Sequence, residues 1–174
     1  VLVNNAGITE VWDFLEVTPA QFDQLYHVNI RGQFFCAQQA VRHMLAAGGG
    51  AIVNLTSVHA FAGMPGHSVY AGTKGAILAW TRELGIELAQ HKVRVNAVAP
   101  GWIEVPSHYA KYSDYDPAAG GRQIPLGRVG TPLDVARVCT FLAGEDAGFI
   151  VGQTVLVDGG TVALMSLAKL DTQS

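Results

Sequence analysis

Two side chains that could cooperate in proton transfer lie four residues apart in the stretch SVYAGTKGA. Tyr70 and Lys74 are separated only by small residues, and residues i and i+4 stack on one face of a helix. A phenol has a pKa of about 10 and is a poor base at neutral pH, so a fixed neighbouring cation is one of the few ways to make it a better one. The pair alone is weak evidence, because composition produces this spacing in many chains.

The elements that would position this pair alternate between strands and helices. Short apolar runs predict strands at 1–3, 51–57, 93–99 and 153–157, and helical periodicity predicts helices at about 19–46, 69–90 and 132–143. Such alternation is typical of βαβ units. We therefore expect an α/β fold with a doubly wound, Rossmann-like parallel sheet in three layers, α/β/α. A length of 174 residues fits a single domain, 1–174.

Polar and turn residues follow each predicted strand, in the segments 4–7, 56–57, 100–101 and 158–160. The carboxyl ends of parallel strands share one edge of the sheet, and such edges bind ligands. Tyr70 begins the helix after Ser57 and should lie near this edge. The helix from 19 has Thr18 as N-cap, and Gly48, Gly49 and Gly50 indicate a turn into the next strand, because they follow a helix instead of opening one.

In its ordered set of motifs the chain resembles the classical short-chain dehydrogenases/reductases. The matching features are Asn4-Asn5-Ala6-Gly7, Asn29, Ser57, Tyr70-x-x-x-Lys74, Asn96-x-x-x-Pro100-Gly101 and the closing Gly152-Gln153-Thr154 to Asp158-Gly159-Gly160. They occur in the family's order across nearly the whole chain. Joint occurrence is far more specific than any single motif.

The resemblance implies hydride transfer between NAD or NADP and a secondary alcohol or ketone, such as a sugar, a polyol or a 3-oxoacyl compound. Tyr70 would be the general acid/base, and Lys74, with the positive ring of the oxidised cofactor, would lower the pKa of its phenol and bind ribose hydroxyls. Ser57 would donate a hydrogen bond to the substrate oxygen. Asn29 would hold a water that completes a proton relay.

Asn29 also has an argument from helix geometry. It falls on one helical stripe with Phe22, Cys36 and Ala40, which predicts that it faces inward and must find buried partners. Both cysteines, Cys36 and Cys139, are expected to be small core residues of a reducing compartment.

The cofactor contacts that the resemblance implies come from two strand ends. Asn5, Ala6 and Gly7 would line the adenosine side, while Pro100, Gly101 and Ile103 would pack against the nicotinamide. Tyr70 and Lys74 would also bind the cofactor. Val105 stands where the family often has threonine, which puts that one contact in doubt.

The segment 102–130 is long for a connection and leaves the catalytic edge, so it is predicted to cover the substrate, the alternative being a surface loop. Its aromatic and imidazole side chains are Trp102, His108, Tyr109, Tyr112 and Tyr115. They suit a sugar, polyol or small carbonyl compound.

Several other classes of function are disfavoured. A net charge of −3 gives no basic patch for nucleic acid or anionic membranes, and no apolar run reaches the length of a membrane span. The six histidines lack the spacing of a metal site and are interpreted as surface or loop residues. Ser57 lacks the Gly-x-Ser-x-Gly elbow of a hydrolase. We expect a cytoplasmic enzyme without a metal, forming a homo-oligomer, a tetramer or dimer.

The family's glycine-rich pyrophosphate turn, Thr-Gly-x-x-x-Gly-x-Gly, does not occur in these 174 residues. The chain is therefore expected to be the catalytic portion of a longer, active enzyme, marginally stable and a poor cofactor binder in isolation. Two alternatives remain open: the same residues could serve a non-redox reaction such as epimerisation or dehydration, or the chain could be a non-catalytic or partner-completed scaffold.

Overall fold

Four parallel strands, neighbours in the order of the chain, form the sheet of the computed structural model, which describes residues 1–111 and 113–165. They are β1 (Leu2–Asn4), β2 (Gly50–Leu55), β3 (Val93–Pro100) and β4 (Thr154–Val157). In register, Asn4 lies beside Asn54, Asn54 beside Ala97, and Ala97 beside Thr154. The strands agree with the predicted ones to within two residues at each end.

The helices connect these strands in the predicted βαβ order. They are α1 (Pro19–Tyr26), α2 (Gln33–Ala46), α3 (Ser68–Ala89), α4 (Pro106–Lys111), α5 (Pro117–Gly121) and α6 (Pro132–Ala143). A π-helical turn, His27–Gly32, joins α1 to α2, and single 3₁₀ turns cover Phe14–Glu16, Val58–Ala60 and Glu145–Ala147.

The sheet is covered on both faces, because successive strand residues point to opposite sides and both sets are apolar. One core joins strand residues to α2 and α3: Ile52, Val93 and Val95 with Ala37, Met44 and Trp80. The other joins them to α6: Val53, Leu55 and Val98 with Cys139 and Leu142. The doubly wound, three-layer α/β/α prediction is therefore confirmed.

Two local predictions are also confirmed. Thr18 caps α1 in a reciprocal box, accepting from the Gln21 N–H at 3.3 Å while the Gln21 side chain accepts from the Thr18 N–H at 2.9 Å. Gly48 and Gly49 have φ of 82° and 150°, and a Cβ on Gly49 would lie 2.8 Å from the Lys92 carbonyl oxygen. These glycines form a tight turn.

The helical stripe predicted around Asn29 is wrong, although Asn29 itself is fully buried. Phe22 and Cys36 are exposed, and the buried positions are Leu25, Asn29, Gln33 and Ala37, each four residues after the last. The π-helical turn is the cause. The chain rotates by a smaller angle per residue there than in an α-helix, so residues seven apart across the turn no longer lie on the same face. Cys139 is buried as expected, whereas Cys36 is not a core residue.

Buried amides connect β1, β2 and α3. The Asn4 side-chain Nδ2 donates to Asn54 Oδ1 at 2.9 Å, and Asn54 Nδ2 donates to the Thr81 hydroxyl at 3.0 Å. All three side chains are buried, and asparagine is otherwise depleted in strands. This chain of hydrogen bonds gives the amides partners inside the core.

Candidate active site

The carboxyl ends of β2 and β3 meet where the predicted catalytic residues lie. Beyond β2, the Thr56 N–H donates to the Val98 carbonyl oxygen at 2.9 Å, and the Thr56 hydroxyl donates to the Lys74 carbonyl oxygen at 2.8 Å. These two bonds tie the end of the sheet to the second turn of α3. Ser57 follows immediately, so the fold brings it to the side chains of α3.

Ser57 and Tyr70 are brought together as predicted. The Ser57 side chain is buried, and its hydroxyl is close enough to the Tyr70 hydroxyl to lower the pKa of the phenol by hydrogen bonding. Its oxygen also accepts from the His59 N–H at 3.2 Å, because Ser57 is the N-cap of the 3₁₀ turn 58–60. The serine hydroxyl is thus fixed beside the phenol, in reach of the same substrate oxygen.

Lys74 lies behind Tyr70 as the i, i+4 spacing predicts. Only 4% of the residue is exposed; its Nζ donates to the Leu55 carbonyl oxygen at 2.9 Å and lies 5.5 Å from the centroid of the Tyr70 ring. Burial lowers the pKa of the ammonium to about 8. It is still mostly charged at neutral pH.

The pKa of Tyr70 differs from the expectation. Burial raises the pKa of the phenol above its ordinary value, and the hydrogen bond from Ser57 opposes that rise. The Lys74 ammonium faces the ring and the Leu55 carbonyl. The chain's own residues therefore keep Tyr70 protonated at neutral pH.

Asn29 finds its buried partners in the loop after β1. Its Oδ1 accepts from the Ile8 N–H at 2.8 Å, and its Nδ2 donates to the Ile8 carbonyl oxygen at 2.9 Å and to the Thr73 hydroxyl at 3.1 Å. Thr73 in turn donates to the Tyr70 carbonyl oxygen at 2.7 Å. Asn29 is thereby linked to the backbone of the catalytic helix, and a water held on its amide stays a prediction.

The predicted cofactor segment Asn5, Ala6 and Gly7 is exposed and held from behind by side chains. Gln33 Nε2 donates to the Ala6 carbonyl oxygen at 2.8 Å. A Cβ on Gly7 would lie 3.3 Å from Asn29 Oδ1 and 3.6 Å from Lys74 Nζ. Glycine therefore leaves open the space in front of the ammonium, which fits a ribose or nicotinamide placed there.

Pro100, Gly101 and Ile103 continue β3 at the same edge. The Gly101 N–H donates to the Val157 carbonyl oxygen at 3.0 Å, and a Cβ at Gly101 would lie 2.8 Å from the Asp158 Cα. Ile103 forms a parallel bridge with Gly130. The close packing of these segments is by itself a sufficient reason for a glycine at position 101. Contacts of Pro100, Gly101 and Ile103 with a cofactor therefore stay predictions.

Two histidines belong to the site although the sequence interpretation placed all six on the surface or in loops. The His59 ring packs edge-to-face on Tyr70, with centroids 5.2 Å apart, and the His67 ring is 4.7 Å from that of His59. The sequence did contain a signal for them, because His59 lies two residues after Ser57 and His67 lies three residues before Tyr70. Thr73 and Gln33 were missed as well, and Thr73 adjoins Lys74 in the sequence.

The segment 102–130 contains α4, α5 and an aromatic cluster. The Tyr115 ring lies 4.9 Å from Tyr109, 5.1 Å from His108 and 6.3 Å from Trp102, between centroids. The Tyr109 hydroxyl donates to the Glu104 carboxylate. Tyr112 lies outside the described residues. The segment is a packed unit, and its covering of a substrate stays a prediction.

Two searches covered residues 1–111 and 113–165. No three His, Cys, Asp or Glu side chains in these ranges come together as metal ligands would. No helix in the same ranges combines the length and the apolar character that crossing a membrane requires.

Known proteins match this chain over most of its length. The family model described as Enoyl-(Acyl carrier protein) reductase matches residues 1–162. Versicolorin reductase 1 of Aspergillus parasiticus is 40% identical over 171 residues, with 92% of this chain and 65% of that protein covered. The 3-oxoacyl-(acyl-carrier-protein) reductase FabG of Thermotoga maritima is 40% identical over 162 residues, with 93% and 65% covered.

Among solved structures, that of ElxO with NADP bound superposes with a TM-score of 0.88 at 34% identity, covering 94% of this chain and 67% of that one. The chain spans just under two thirds of the length of the two curated relatives. Sequence motifs, fold and relatives agree, and the chain belongs to the classical short-chain dehydrogenase/reductase family.

Proposed function

We propose that the protein carrying this chain is an NAD- or NADP-dependent oxidoreductase that interconverts a ketone and a secondary alcohol. The observation that carries the proposal is the convergence of Ser57, Tyr70 and Lys74, with the Ser57 hydroxyl close enough to the phenol to lower its pKa and the buried ammonium 5.5 Å from its ring. The names of the relatives, versicolorin reductase and 3-oxoacyl-(acyl-carrier-protein) reductase, support it.

In reduction, Ser57 and Tyr70 bind the carbonyl oxygen by hydrogen bonds and polarise the carbonyl group. The Tyr70 hydroxyl transfers its proton to the oxygen of the carbonyl group, whose carbon would receive a hydride from a bound nicotinamide cofactor, so that an alcohol and a phenolate result. The Lys74 ammonium stabilises that phenolate. In oxidation the proton moves back from the alcohol to Tyr70.

Reduction at neutral pH would start from a protonated Tyr70. Because burial raises the pKa of Tyr70, the phenol carries the proton that reduction consumes. Oxidation needs the phenolate, which the chain's own residues disfavour. A cationic nicotinamide ring in the oxidised cofactor would supply the missing positive charge.

Residues on two strand ends would hold the cofactor. Asn5, Ala6 and Gly7 form an exposed segment in which Gly7 lies near Lys74 Nζ. The ammonium would donate to ribose hydroxyls, and Pro100, Gly101 and Ile103 would border the nicotinamide. The ElxO structure was solved with NADP. Either NAD or NADP remains part of the proposal.

The substrate is proposed to be a sugar, polyol or 3-oxoacyl-type ketone or alcohol. Its cover would be the aromatic cluster of the segment 102–130, formed by Trp102, Tyr109 and Tyr115. The position of this segment directly after β3 supports the assignment.

Assembly and location complete the proposal. Phe34 and Phe35 on α2 are exposed, and Phe34 packs against Trp80 of α3, with centroids 5.7 Å apart. These apolar side chains support a homo-oligomer, a dimer or tetramer, built on α2 and α3. The free thiols of Cys36 and Cys139 support a cytoplasmic location.

The decisive test removes one tyrosine hydroxyl group at a time from the natural protein at its full length. Tyr70→Phe removes only the reacting hydroxyl and should lower kcat for ketone reduction by at least about a thousand-fold, followed by the absorbance of reduced nicotinamide. Tyr26→Phe is the matched control, because Tyr26 stacks on Phe22 and its hydroxyl has no role in the proposed proton transfer. Full turnover by Tyr70→Phe would refute the proposal.

A further inference from the structure

Two histidines flank Tyr70 that the proposed proton transfer does not use. His59 belongs to the 3₁₀ turn 58–60, and His67 immediately precedes α3. Their rings lie 5.2 Å and 6.3 Å from the Tyr70 ring, between centroids, and 4.7 Å from each other. Two imidazole rings therefore lie next to the Tyr70 ring, and they also contact each other.

His59 contacts both catalytic partners of the proposed substrate oxygen. Its backbone N–H donates to the Ser57 hydroxyl oxygen at 3.2 Å, and its side-chain ring stands at 78° to the Tyr70 ring. Edge-to-face packing of this kind fixes the plane of a ring as well as its distance. A shift of the His59 side chain would therefore move the phenol relative to Ser57.

The environment of His59 keeps its imidazole neutral. Nδ1 is buried and has no hydrogen-bond partner among residues 1–111 and 113–165. Burial, and to a smaller extent His67, lower the pKa of the ring. The ionisable groups of α3 and its start that are nearest are His67, Tyr70 and Lys74; the one ionisable side chain of β3, Arg94, is bonded to the carbonyl oxygens that end α6. The ring acts as an apolar aromatic wall.

We propose that His59 is a positioning residue for Tyr70: its ring holds the phenol against Ser57 and keeps water away from it. Its effect on turnover rests on the proposed function, whereas its effect on the phenol does not. His67 also packs against the His59 ring, and a hydrogen bond between its Nδ1 and the Pro65 carbonyl oxygen at 3.0 Å anchors it.

Two substitutions distinguish the contribution of the aromatic ring of His59 from that of its nitrogen atoms. His59→Ala opens the phenol to water, which relieves the burial that raises the pKa of Tyr70, so that pKa should fall, and the freed phenol should transfer its proton less efficiently. His59→Phe keeps a flat ring of similar size without an ionisable group. It should preserve both the pKa and the rate.

The experiment uses the full-length natural protein labelled with ¹³C at the tyrosine Cζ, so that NMR titration follows the phenol without any turnover. Loss of one signal in Tyr70→Phe assigns Tyr70. We expect His59→Ala to lower the Tyr70 pKa by on the order of one unit and kcat by roughly ten- to a hundred-fold with KM nearly constant. His59→Phe should restore both, and His91→Ala, an exposed histidine beyond the end of α3, should change neither.

An unchanged Tyr70 pKa and an unchanged kcat in His59→Ala would overturn the proposal. So would a loss in His59→Phe as large as that in His59→Ala, because it would assign the effect to an imidazole nitrogen. If His59→Ala does not fold, His59→Asn takes its place with the same expected shifts. Turnover by Tyr70→Phe would refute the proposed function, and the titration would still decide whether His59 shields the phenol.

Discussion

The side chain of Asn29 binds both backbone polar groups of a single residue, Ile8. Its Oδ1 accepts from the Ile8 N–H at 2.8 Å and its Nδ2 donates to the Ile8 carbonyl oxygen at 2.9 Å, while a third bond reaches Thr73. The amide thereby fixes the loop that follows β1 against the helix that carries Tyr70. Only an amide offers a donor and an acceptor in this geometry.

Asn29→Asp should destabilise the fold by about 2–4 kcal/mol, because a carboxylate oxygen would face the Ile8 carbonyl oxygen in a buried site. Urea unfolding measures the loss. Gln39→Glu makes the same chemical change on the exposed face of α2 and should shift the free energy of unfolding by less than about 0.5 kcal/mol. Equal shifts in the two variants would contradict the role of Asn29.

Burial of Lys74 predicts a dependence of stability on pH. Its pKa falls from 10.5 to about 8 on folding. Between these values the unfolded chain binds more protons than the folded one, so the free energy of unfolding rises with pH, by up to about 3 kcal/mol. Below pH 8 the full cost of the buried charge is present.

Lys74→Met removes that charge with little change in volume, and it also removes the bond to the Leu55 carbonyl oxygen. The variant should lack turnover and be more stable than the natural protein at pH 7, by about 1–2 kcal/mol. This difference should shrink as the pH rises towards 10. Unfolding curves that stay parallel over this range would exclude the predicted pKa.

Thr81 tests the buried amides. Thr81→Val keeps the shape of the side chain and leaves Asn54 Nδ2 without its acceptor, so we expect a loss of about 1–3 kcal/mol in the free energy of unfolding. Thr81→Ser keeps the hydroxyl and should lose less, in spite of the smaller volume. The reverse order would show that packing of the methyl group outweighs the hydrogen bond.

Arg94 binds the end of α6 through three carbonyl oxygens, those of Leu142 at 2.7 Å, Ala143 at 3.3 Å and Gly144 at 2.9 Å. Lysine carries the same charge on one nitrogen and cannot span them. Arg94→Lys should lower the free energy of unfolding by about 1–2 kcal/mol. Arg137→Lys, on the exposed side of α6, is the control and should be neutral.

Two glycines of α3 should respond in opposite directions to alanine. A Cβ on Gly85 would lie 2.9 Å from the Gly152 nitrogen, whereas none of the surrounding heavy atoms lies within 4 Å of a Cβ on Gly75. Gly85→Ala should therefore unfold at a lower temperature, and Gly75→Ala should stabilise the fold of the single chain by about 0.5–1 kcal/mol through helix propensity. Thermal unfolding of the two variants measures both.

Local patterns predicted what local geometry determines. The i, i+4 spacing placed Lys74 behind Tyr70 because α3 is a regular helix there, and the apolar runs located the strands because both faces of the sheet are covered. The predicted burial of Phe22 and Cys36 failed because the turn 27–32 is π-helical, which a 3.6-residue period does not represent.

Such local patterns do not predict contacts between different secondary-structure elements. The packing of His59 on Tyr70 joins a 3₁₀ turn to a helix, and the histidine spacing in the sequence indicated only surface or loop residues. The raised pKa of Tyr70 depends on how deeply the phenol is buried, a quantity that the Tyr70 and Lys74 spacing does not contain.

The π-helical turn makes the length of the segment 27–32 as important as its composition. Deleting one residue there would favour a continuous α-helix and rotate Asn29 away from Ile8 without altering any catalytic side chain. Related proteins that share every motif would thus differ in activity when an insertion or deletion changes the length of this turn. An alignment gap at this place carries functional information that residue identity does not.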